Sequence, residues 1–463
     1  MYKLRNYQQL TISRIVGAMR EGKRAIMVQQ PPRTGKTVIM AEIARRATVK
    51  GNRVLFVVHR KELVDQAWQT FKSNDVDMSL VTMGMVQTLT RHTDTIPEPA
   101  VILIDEAHHV LAKSYRRIID AFPNAVRIMV TATPWRMSGA GFGDVADCLI
   151  PGQQMGWLIK NGFLAPIRYF CPPDIETAEL KLKANGEFDE ASVADAMKPK
   201  VFSNAVKMYQ EHASGMQAIA YAYNVASAKR LADSFNAAGI TAAEVDGATP
   251  KEERDQLIRE YRDGKITILT NAELFTEGLD LPNVDCVIMM RPTQSLSLFL
   301  QFSMRAMNPR KGKTAVIIDH VDNLSRFGLP TDEREWKLSG EGKKKKARSD
   351  IQSPTTCPYC FASFYRKGRT TCPFCGHLLT KENGADGPQH VDVDLVEVTQ
   401  PTAAAQKRLK IARMIQSNEM YKWLADKRPE QLENYLQLQY YAKLHGYKPG
   451  WAWYQAKKRG FIR

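Results

Sequence analysis

The stretch QQPPRTGKTVIM, which runs from Gln29 to Met40, decides the fold because it joins a predicted strand to a predicted helix. The apolar run RAIMVQQ leads into it and is typical of a buried strand, whereas the apolar residues after it recur on one face of a helix. A tight loop that ends in Gly-Lys-Thr at the start of a helix gathers backbone N–H groups and the helix dipole around one anion. The sequence therefore predicts a nucleotide phosphate site. In this site Gly35 lets the backbone approach, Lys36 neutralises phosphate charge and Thr37 binds Mg²⁺.

One position of this loop departs from the usual pattern, since Arg33 stands where phosphate-binding loops commonly carry glycine. Glycine adopts a positive φ at little cost, whereas arginine is strained there. The sequence therefore predicts that the loop takes a different, allowed conformation at Arg33, with the side chain directed to solvent or to phosphate.

The run VILIDEAHH ends a predicted buried strand in two adjacent carboxylates, Asp105 and Glu106. Ligand groups in open α/β sheets lie at the carboxyl ends of the strands. Asp105 in that position can hold Mg²⁺ through water, and Glu106 can polarise an attacking water. The alternative is an acidic cap at a helix N-terminus, which suits aspartate equally well.

Alternating strand and helix patterns continue to about residue 325 and predict two α/β domains in tandem, each with a parallel sheet. The first domain contains the apolar runs NRVLFVVH, AVILIDEAHH and VRIMVTATP. The pattern restarts near residue 205 with MQAIAYAYN, ITAAEVD, KITILTN, VDCVIMMRP and TAVIIDH. The stretch between the two sets is more polar and is interpreted as a linker or small excursion.

Four of the seven cysteines are clustered as Cys357-Pro-Tyr-Cys360 and Cys372-Pro-Phe-Cys375, with eleven residues between the pairs. This spacing is typical of a zinc ribbon, in which four thiolates close a tetrahedral, structural Zn²⁺ site. The alternative is four free thiols. The other three cysteines are scattered, which fits a reducing compartment rather than a disulfide framework. His377 is a spare ligand candidate, but a surface histidine is the favoured interpretation.

The chain of 463 residues carries 65 lysines and arginines against 49 acidic residues, a net charge of +16. Such a charge indicates an anionic partner, most commonly nucleic acid, although a generally basic surface is the alternative. The sequence shows neither a signal peptide nor an apolar run of about 18 residues, so an intracellular protein without a membrane partner is expected.

The C-terminal stretch HGYKPGWAWYQAKKRGF interleaves aromatic and basic residues. Aromatic rings can stack on bases while cations hold phosphates. A small helical core with a solvated basic face is an equally good interpretation of Trp451 and Trp453, and it would still add salt-dependent DNA affinity.

The sequence resembles the superfamily-2 helicases and translocases, because seven of their motifs occur in the family's order. They are LRNYQ (residues 4–8) as the adenine-reading segment, QPPRTGKT as motif I, FVVHRKELVDQ as Ia, DEAH (105–108) as II, TAT (131–133) as III, ILTNAELFTEGLDLP as V and QFSMRAMNPRKGK as VI. The segments TATPWRM and RPTQSLSLFLQ look most like those of helicases in phage replication modules.

The resemblance implies two RecA-like domains with ATP and Mg²⁺ between them. An arginine of the second domain, Arg305, would reach the γ-phosphate. The family's second arginine, three residues later, is replaced by Asn308, and Arg310 is displaced by two further positions. The implied catalytic residues are Lys36, Asp105, Glu106, Gln301 and Arg305. The implied nucleotide-binding residues are Gln8, Thr34, Gly35, Lys36, Thr37, Glu277, Gly278 and Asp280. The implied nucleic-acid contacts are His59, Arg60, Thr270 and Asn271.

These features together predict an ATP-dependent DNA helicase or translocase of DNA replication or recombination, with ATP, Mg²⁺ and Zn²⁺ as cofactors. Single-stranded, duplex or forked DNA and replication or recombination proteins are the expected partners of a monomer in the cytoplasm, that of a bacterial host if the gene is phage-encoded. The alternatives are an ATP-gated nucleic-acid clamp with little turnover and an RNA helicase. The predicted organisation is 1–165 for the first RecA-like domain, 166–204 for the linker or excursion, 205–325 for the second RecA-like domain, 326–355 for a basic linker, 356–378 for the zinc ribbon, 379–400 for a second linker and 401–463 for a basic, mostly helical C-terminal region. Within the basic linker, the run SGEGKKKKARSDIQSP (339–354) is interpreted as mobile.

Overall fold

The structure is a computed structural model that describes residues 2–135, 141–272, 281, 283–339, 354–379, 423–424, 427–448 and 450–461. The chain divides into two compact units. The first comprises Met1–Thr356 with Phe361–Tyr365, and the second comprises Cys357–Cys360 with Arg366–Arg463. The first unit holds both α/β folds.

The first fold is built on a six-stranded parallel sheet in the order β3-β2-β4-β5-β1-β6. Its strands are β1 Ala25–Gln29, β2 Val54–Val58, β3 Val81–Met85, β4 Val101–Ile104, β5 Val126–Thr131 and β6 Cys148–Ile150. The predicted apolar runs form the four inner strands, which confirms the parallel sheet. The two edge strands were not predicted, because β3 is only half-buried and β6 is three residues long.

Helices cover both faces of this sheet: α1 Asn6–Arg20, α2 Lys36–Thr48, α3 Lys61–Ser73, α4 Val86–Leu89, α5 Lys113–Ala121 and α6 Met155–Lys160. Successive strand residues point to opposite faces. Ile26 and Val28 of β1 therefore pack into one core with α1 to α3, whereas Met27 packs into a second core with α5. A sheet covered on both faces leaves the carboxyl ends of its strands as the place where polar loops can gather.

The second fold is a six-stranded parallel sheet in the order β7-β12-β11-β8-β10-β9. Its strands are β7 Ile167–Phe170, β8 Ala218–Ala222, β9 Ala242–Glu244, β10 Ile268–Asn271, β11 Cys286–Met290 and β12 Ala315–Asp319. Its helices are α7 Glu190–Ala196, α8 Pro199–His212, α9 Val225–Ala237, α10 Lys251–Arg262, α11 Leu296–Met304 and α12 Asn323–Phe327. The tandem RecA-like architecture is thereby confirmed.

The interpretation of 166–204 as a linker or excursion is wrong at its start and its end. Ile167–Phe170 forms the edge strand β7, which pairs in parallel with β12 far along the chain. Helix α8 begins at Pro199 and buries Phe202 and Tyr209 against the same fold. The pairing partner of β7 is distant in sequence, so the local pattern did not reveal it.

Residues 328–339, here called the strap, return from the second fold to the first. The Leu338 carbonyl accepts a hydrogen bond from the Gly143 amide at 3.1 Å, and the Leu338 side chain packs against the core that contains α5. The rings of Trp336 and Trp135 lie 4.7 Å apart. The strap, which the sequence analysis includes in the basic linker 326–355, is thus fixed against the first fold by these contacts.

A second contact ties the strap to the segment that lies between the cysteine pairs. Strands β13 Thr355–Thr356 and β14 Ser363–Phe364 form an antiparallel pair. The Phe361 carbonyl accepts a hydrogen bond from the Cys171 amide at 2.9 Å, next to the end of β7. The Tyr365 hydroxyl donates to Asp332 Oδ2 at 2.6 Å. The segment Phe361–Tyr365 thus belongs to the first compact unit.

The second unit contains α13 Tyr435–His445 and α14 Trp451–Lys458. Asn434 caps α13 through its side chain, and Gly446 ends it in the left-handed conformation. A small core joins the two helices; its buried residues are Leu424, Leu432, Leu438, Tyr441, Ala452 and Ala456. None of the helices that the structure describes is long and apolar enough to cross a membrane.

We expect Trp336→Ala to lower the free energy of unfolding of the first unit by at least about 1 kcal/mol, because the aromatic pair with Trp135 is lost. Protease cleavage within the strap should accelerate for the same reason. Lys337→Ala is the matched control, since its side chain is 57% exposed on the same segment. Equal cleavage rates in the two variants would show that Trp336 does not anchor the strap.

Candidate active site

The predicted phosphate loop lies between the end of β1 at Gln29 and the start of α2 at Lys36. Gly35 has φ +78°, a left-handed conformation that glycine adopts cheaply. A Cβ atom at this position would lie 2.5 Å from Gln8 Nε2. Gly35 is therefore required both by its backbone conformation and by the close approach of Gln8.

Two side chains of α1 donate hydrogen bonds to the backbone of this loop. The Tyr7 hydroxyl donates a hydrogen bond to the Thr34 carbonyl at 2.8 Å, and Gln8 Nε2 donates to the same oxygen at 3.1 Å. Gln8 Oε1 accepts from the Arg5 amide at 2.9 Å. The side-chain amide of Gln8 thus joins the N-terminus of α1 to the phosphate loop. The motif alone gave no role to Tyr7.

A solvent-open cavity of about 230 Å³ lies beside this contact. Its lining includes Arg5, Gln8, Arg33 and Gly35. The cavity joins the predicted adenine-reading segment to the phosphate loop, so a nucleotide base could sit there next to its own phosphates.

Arg33 has φ +65°, so the prediction that the loop would avoid the left-handed conformation is wrong. The neighbouring contacts fix the backbone of the loop on both sides of Arg33. Thr34 Oγ1 donates a hydrogen bond to the Pro31 carbonyl at 2.6 Å and lies 3.2 Å from Gln30 Oε1. A non-glycine residue in this region costs about 1–2 kcal/mol. The loop therefore carries backbone strain at Arg33.

The two predicted carboxylates follow β4 and are both 7% exposed. Glu106 Oε1 forms an ion pair with Lys36 Nζ, and its Oε2 lies 3.4 Å from His108 Nδ1. Asp105 Oδ1 accepts a hydrogen bond from the Glu106 amide at 2.9 Å. The structure therefore brings Lys36 and Glu106 together, although they lie far apart in sequence.

Electrostatics keep Glu106 ionised. Burial alone would raise the pKa of the Glu106 carboxyl, but the Lys36 ammonium and then His108 hold that pKa well below its usual range. An ionised, buried carboxylate next to the phosphate loop is suited to orienting and polarising a water molecule.

The end of β5 contributes a further contact to this cluster. Thr131 Oγ1 lies 3.4 Å from His108 Nδ1 and accepts a hydrogen bond from the Thr133 amide at 3.2 Å. Trp135, which packs on the strap, follows two residues later. His108 is thus the link between the acidic pair and the TAT segment, a role that its place in DEAH did not reveal.

In the second fold, Gln301 and Arg305 lie at the end of α11, and each is 7% exposed. Burial raises the pKa of the nearby Tyr221 phenol to about 12, while the charges of Arg305 and Arg33 act in the opposite direction. Leu300 and Met304 of α11 line one cavity together with Pro31 and Pro32 of the phosphate loop, so the end of α11 faces that loop.

Asn308, at the position of the family's second arginine, and Arg310, two residues later, form contacts within the second fold. Asn308 Nδ2 lies 3.4 Å from the Leu281 carbonyl. Arg310 forms an ion pair with Asp285, whose Oδ1 is also 3.0 Å from Lys313 Nζ. The guanidinium of Arg310 is thus engaged by a carboxylate of its own fold, which favours Arg305 as the arginine of this site.

The predicted nucleic-acid contacts divide into two groups. Thr270 and Asn271 are fully buried and donate hydrogen bonds to the carbonyls of Ala228 (2.8 Å) and Ala220 (3.2 Å). They are the last two residues of β10, where both faces of the sheet are covered, and their contact with nucleic acid stays a prediction. His59 and Arg60 follow β2 and are partly exposed.

The remaining predicted ligands can be placed in part. Thr37 lies in the first turn of α2 and is partly exposed. Glu277, Gly278 and Asp280 lie outside the described residues.

The four clustered cysteines converge in the second unit. All four Sγ atoms lie within 4.8 Å of one another, and the pairs Cys357–Cys375 and Cys360–Cys372 are each 3.7 Å apart. A tetrahedral Zn²⁺ with Zn–S distances of about 2.3 Å places its sulfurs about 3.8 Å apart. The cluster therefore fits zinc in both ligand type and spacing. His377 stacks on Tyr359 and lies outside the set of four.

Comparison with known proteins places the chain in a family. Residues 1–136 match the family described as the res subunit of type III restriction enzymes, and residues 198–310 match the helicase conserved C-terminal domain. A 51.5 kDa protein of a Lactococcus phage (isolate 7-9) is 42% identical over 357 residues, which cover 77% of this chain and 78% of that protein. The chain belongs to superfamily 2 of the helicases. This superfamily-2 protein is therefore an ATP-dependent enzyme of nucleic acids.

Two further proteins are similar to this superfamily-2 helicase, one in sequence and one in fold. A Saccharomyces cerevisiae protein named as an ATP-dependent helicase is 29% identical over 354 residues, covering 69% of this chain and about half (51%) of that protein. The fragment structure of an HsdR subunit of a type I restriction enzyme from Vibrio vulnificus YJ016 shares the fold, with a TM-score of 0.58 and 22% identity over 71% of this chain and 66% of that one.

The strain at Arg33 gives a direct test of the loop conformation. Arg33→Gly and Arg33→Ala both remove the guanidinium, but only alanine keeps a Cβ at positive φ. The glycine variant should be about 1 kcal/mol more stable in urea unfolding, because the left-handed penalty exceeds the entropic cost of glycine. Equal stabilities would mean that this loop does not hold residue 33 at positive φ in solution.

Proposed function

We propose that this helicase is a DNA helicase or translocase that couples ATP hydrolysis between its two RecA-like folds to movement on DNA, in phage DNA replication or recombination. The observation that carries the proposal is the ion pair between Lys36 and the buried, ionised Glu106. It joins the phosphate loop to the carboxylate that would act on water.

The ion pair gives a physical route from binding to hydrolysis. A bound triphosphate offers Lys36 several negative oxygens in place of a single carboxylate. Lys36 would then move toward the phosphates, and Glu106, with His108 Nδ1 still 3.4 Å from its Oε2, would be free to orient the attacking water. The exchange makes the catalytic carboxylate available only when nucleotide is bound.

Mg²⁺ is expected between the phosphates and the protein, with Thr37 and Asp105 as the residues that would hold it. Hydroxyl and carboxylate oxygens are the ligands that this hard cation prefers. The ion would neutralise charge on the transferring phosphoryl group. Asp105 lies next to Glu106 with its Oδ1 fixed by a backbone amide, so it is positioned to serve.

The second fold would complete the site through Arg305. Leu300 and Met304 of α11 share a cavity with Pro31 and Pro32, so a γ-phosphate on the loop would lie near the end of that helix. Charge that develops on the transferred group would be stabilised there. Movement of the two folds around this contact would carry a strand bound across both of them.

DNA is the proposed substrate because the chain carries a net charge of +16 and its phosphate contacts would be largely independent of sequence. His59 and Arg60 are the proposed backbone contacts in the first fold. The rings of His59 and His109 lie 5.3 Å apart, so DNA at His59 would be close to the acidic pair.

A second candidate function is an ATP-gated clamp with little turnover. Asn308 at the place of the family's second arginine, with Arg310 held by Asp285, favours it, because one guanidinium fewer reaches the phosphates. An RNA helicase is the alternative within the motor class. ATP turnover separates the clamp from the motor, and the choice of nucleic acid separates DNA from RNA.

We expect the wild-type protein to hydrolyse ATP faster with single-stranded, duplex or forked DNA than alone. Lys36→Ala should abolish binding and turnover, whereas Glu106→Gln should keep ATP binding and lower turnover by about 100-fold or more, because the water loses its base. Lys50→Ala is the matched control, since Lys50 is exposed beyond the end of α2. Turnover should be measured by phosphate release and ATP binding by a fluorescent analogue.

Wild-type turnover equal to that of Lys36→Ala on every DNA would contradict the motor. If ATP then still tightened DNA binding, the clamp would be the correct function. Faster turnover with RNA than with DNA would assign the motor to RNA.

We also propose that Cys357, Cys360, Cys372 and Cys375 hold one structural Zn²⁺. The purified protein should contain about one equivalent of zinc by metal analysis, and Cys372→Ser should lose most of it because three thiolates hold the ion less tightly. Cys148→Ser is the control, since Cys148 lies in β6 outside the cluster. Zinc well below one equivalent in the wild type would reject the site.

A further inference from the structure

Helix α14 has two faces of different character. Ala452 and Ala456 are buried in the small core that joins it to α13. The residues that follow each alanine are exposed: Trp453, Tyr454, Lys457 and Lys458. Residues four apart lie on one helix face, so two aromatic rings and two ammonium groups form one continuous surface, here called the α14 face.

The aromatic residues of this helix are not all used for packing. Trp451 stacks on Tyr447 with ring centroids 4.2 Å apart and packs against the core. Trp453 and Tyr454, in contrast, are 48% and 62% exposed. These two adjacent exposed rings leave flat apolar surface available to a binding partner.

The charged residues of α14 and of the sequence that flanks it have one sign. Lys457 Nζ lies 5.0 Å from the centre of the Trp453 ring. The sequence from 444 to 463 contains no aspartate or glutamate. The partner of the α14 face is therefore expected to be anionic and to offer flat rings.

We propose that the α14 face is a binding site for single-stranded DNA. Unpaired bases stack on Trp453 and Tyr454, and the adjoining phosphates contact Lys457 and Lys458. Paired bases in a duplex are already stacked and cannot cover the two rings in this way. The site lies in the second compact unit, outside the ATPase folds, and gives the motor a hold on unpaired strand that does not depend on nucleotide.

The proposal goes beyond the proposed function and fails separately from it. DNA binding by the α14 face needs neither ATP nor Lys36, whereas the motor needs both. The binding experiment is therefore made on the full chain without nucleotide, and again in the Lys36→Ala background.

The probe is a fluorescein-labelled oligothymidylate, with binding followed by anisotropy. Trp453→Ala and Tyr454→Ala should each weaken binding by at least about fivefold, and Trp453→Phe should stay within about twofold of the wild type because a ring remains. Lys457→Ala should reduce the slope of log K against log salt by about 0.7, as expected for one phosphate contact to a single strand. ATP turnover without DNA should not change in any of them.

Two matched controls lie on α13. Leu436→Ala removes an exposed apolar side chain (53% exposed), and Lys443→Ala removes an exposed positive charge. Both should bind the oligothymidylate like the wild type. The proposal is overturned if Trp453→Ala binds as tightly as Leu436→Ala. It is also overturned if the Trp453 and Tyr454 variants lose duplex binding as strongly as single-strand binding.

Discussion

The ion pair between Lys36 and Glu106 is the interaction on which the rest of the site depends. A carboxylate that is 7% exposed remains charged only when a cation lies against it, because an unpaired buried charge costs several kcal/mol. The lysine follows β1 and the carboxylate follows β4, with β5 between them in the sheet. The pair therefore exists only if three parallel strands present their carboxyl ends at one edge. The loop, the acidic turn and the TAT segment meet for this reason.

Backbone strain accompanies this arrangement on both sides of the ion pair. Arg33 and Glu106 have φ of +65° and +45°, values that side chains with a Cβ adopt at a cost. Neither conformation would persist in an isolated loop. Tyr7 and Gln8 fix one side through the Thr34 carbonyl, and Lys36 fixes the other through Glu106. The contacts made by α1 and by the sheet thus offset the strain of two residues that lie where a phosphate would bind.

The sequence predicted the features that are local and missed those that depend on distant partners. Continuous apolar runs marked the inner strands of both sheets, and residue type at the strand ends marked Lys36 and Glu106. Strand β7 and the strap were missed because their partners lie far along the chain. A single aromatic residue such as Trp336 also produces no repeating pattern of apolar positions in the sequence. Thr270 was assigned to DNA because a motif gives residue identity and order, whereas only the covered sheet shows that its side chain is buried.

We propose that one arginine from each fold makes nucleotide binding favour closure of the two folds. One belongs to the phosphate loop of the first fold and the other, Arg305, to the end of α11 in the second. Two guanidinium groups on facing surfaces repel each other, and in a partly buried site water screens the repulsion poorly. An anion between them reverses the sign of the interaction. A triphosphate on Lys36 would supply that anion, and its loss after hydrolysis would restore the repulsion. With Asn308 in place of a further arginine, Arg33 of the first fold would then supply a positive charge that the second fold lacks.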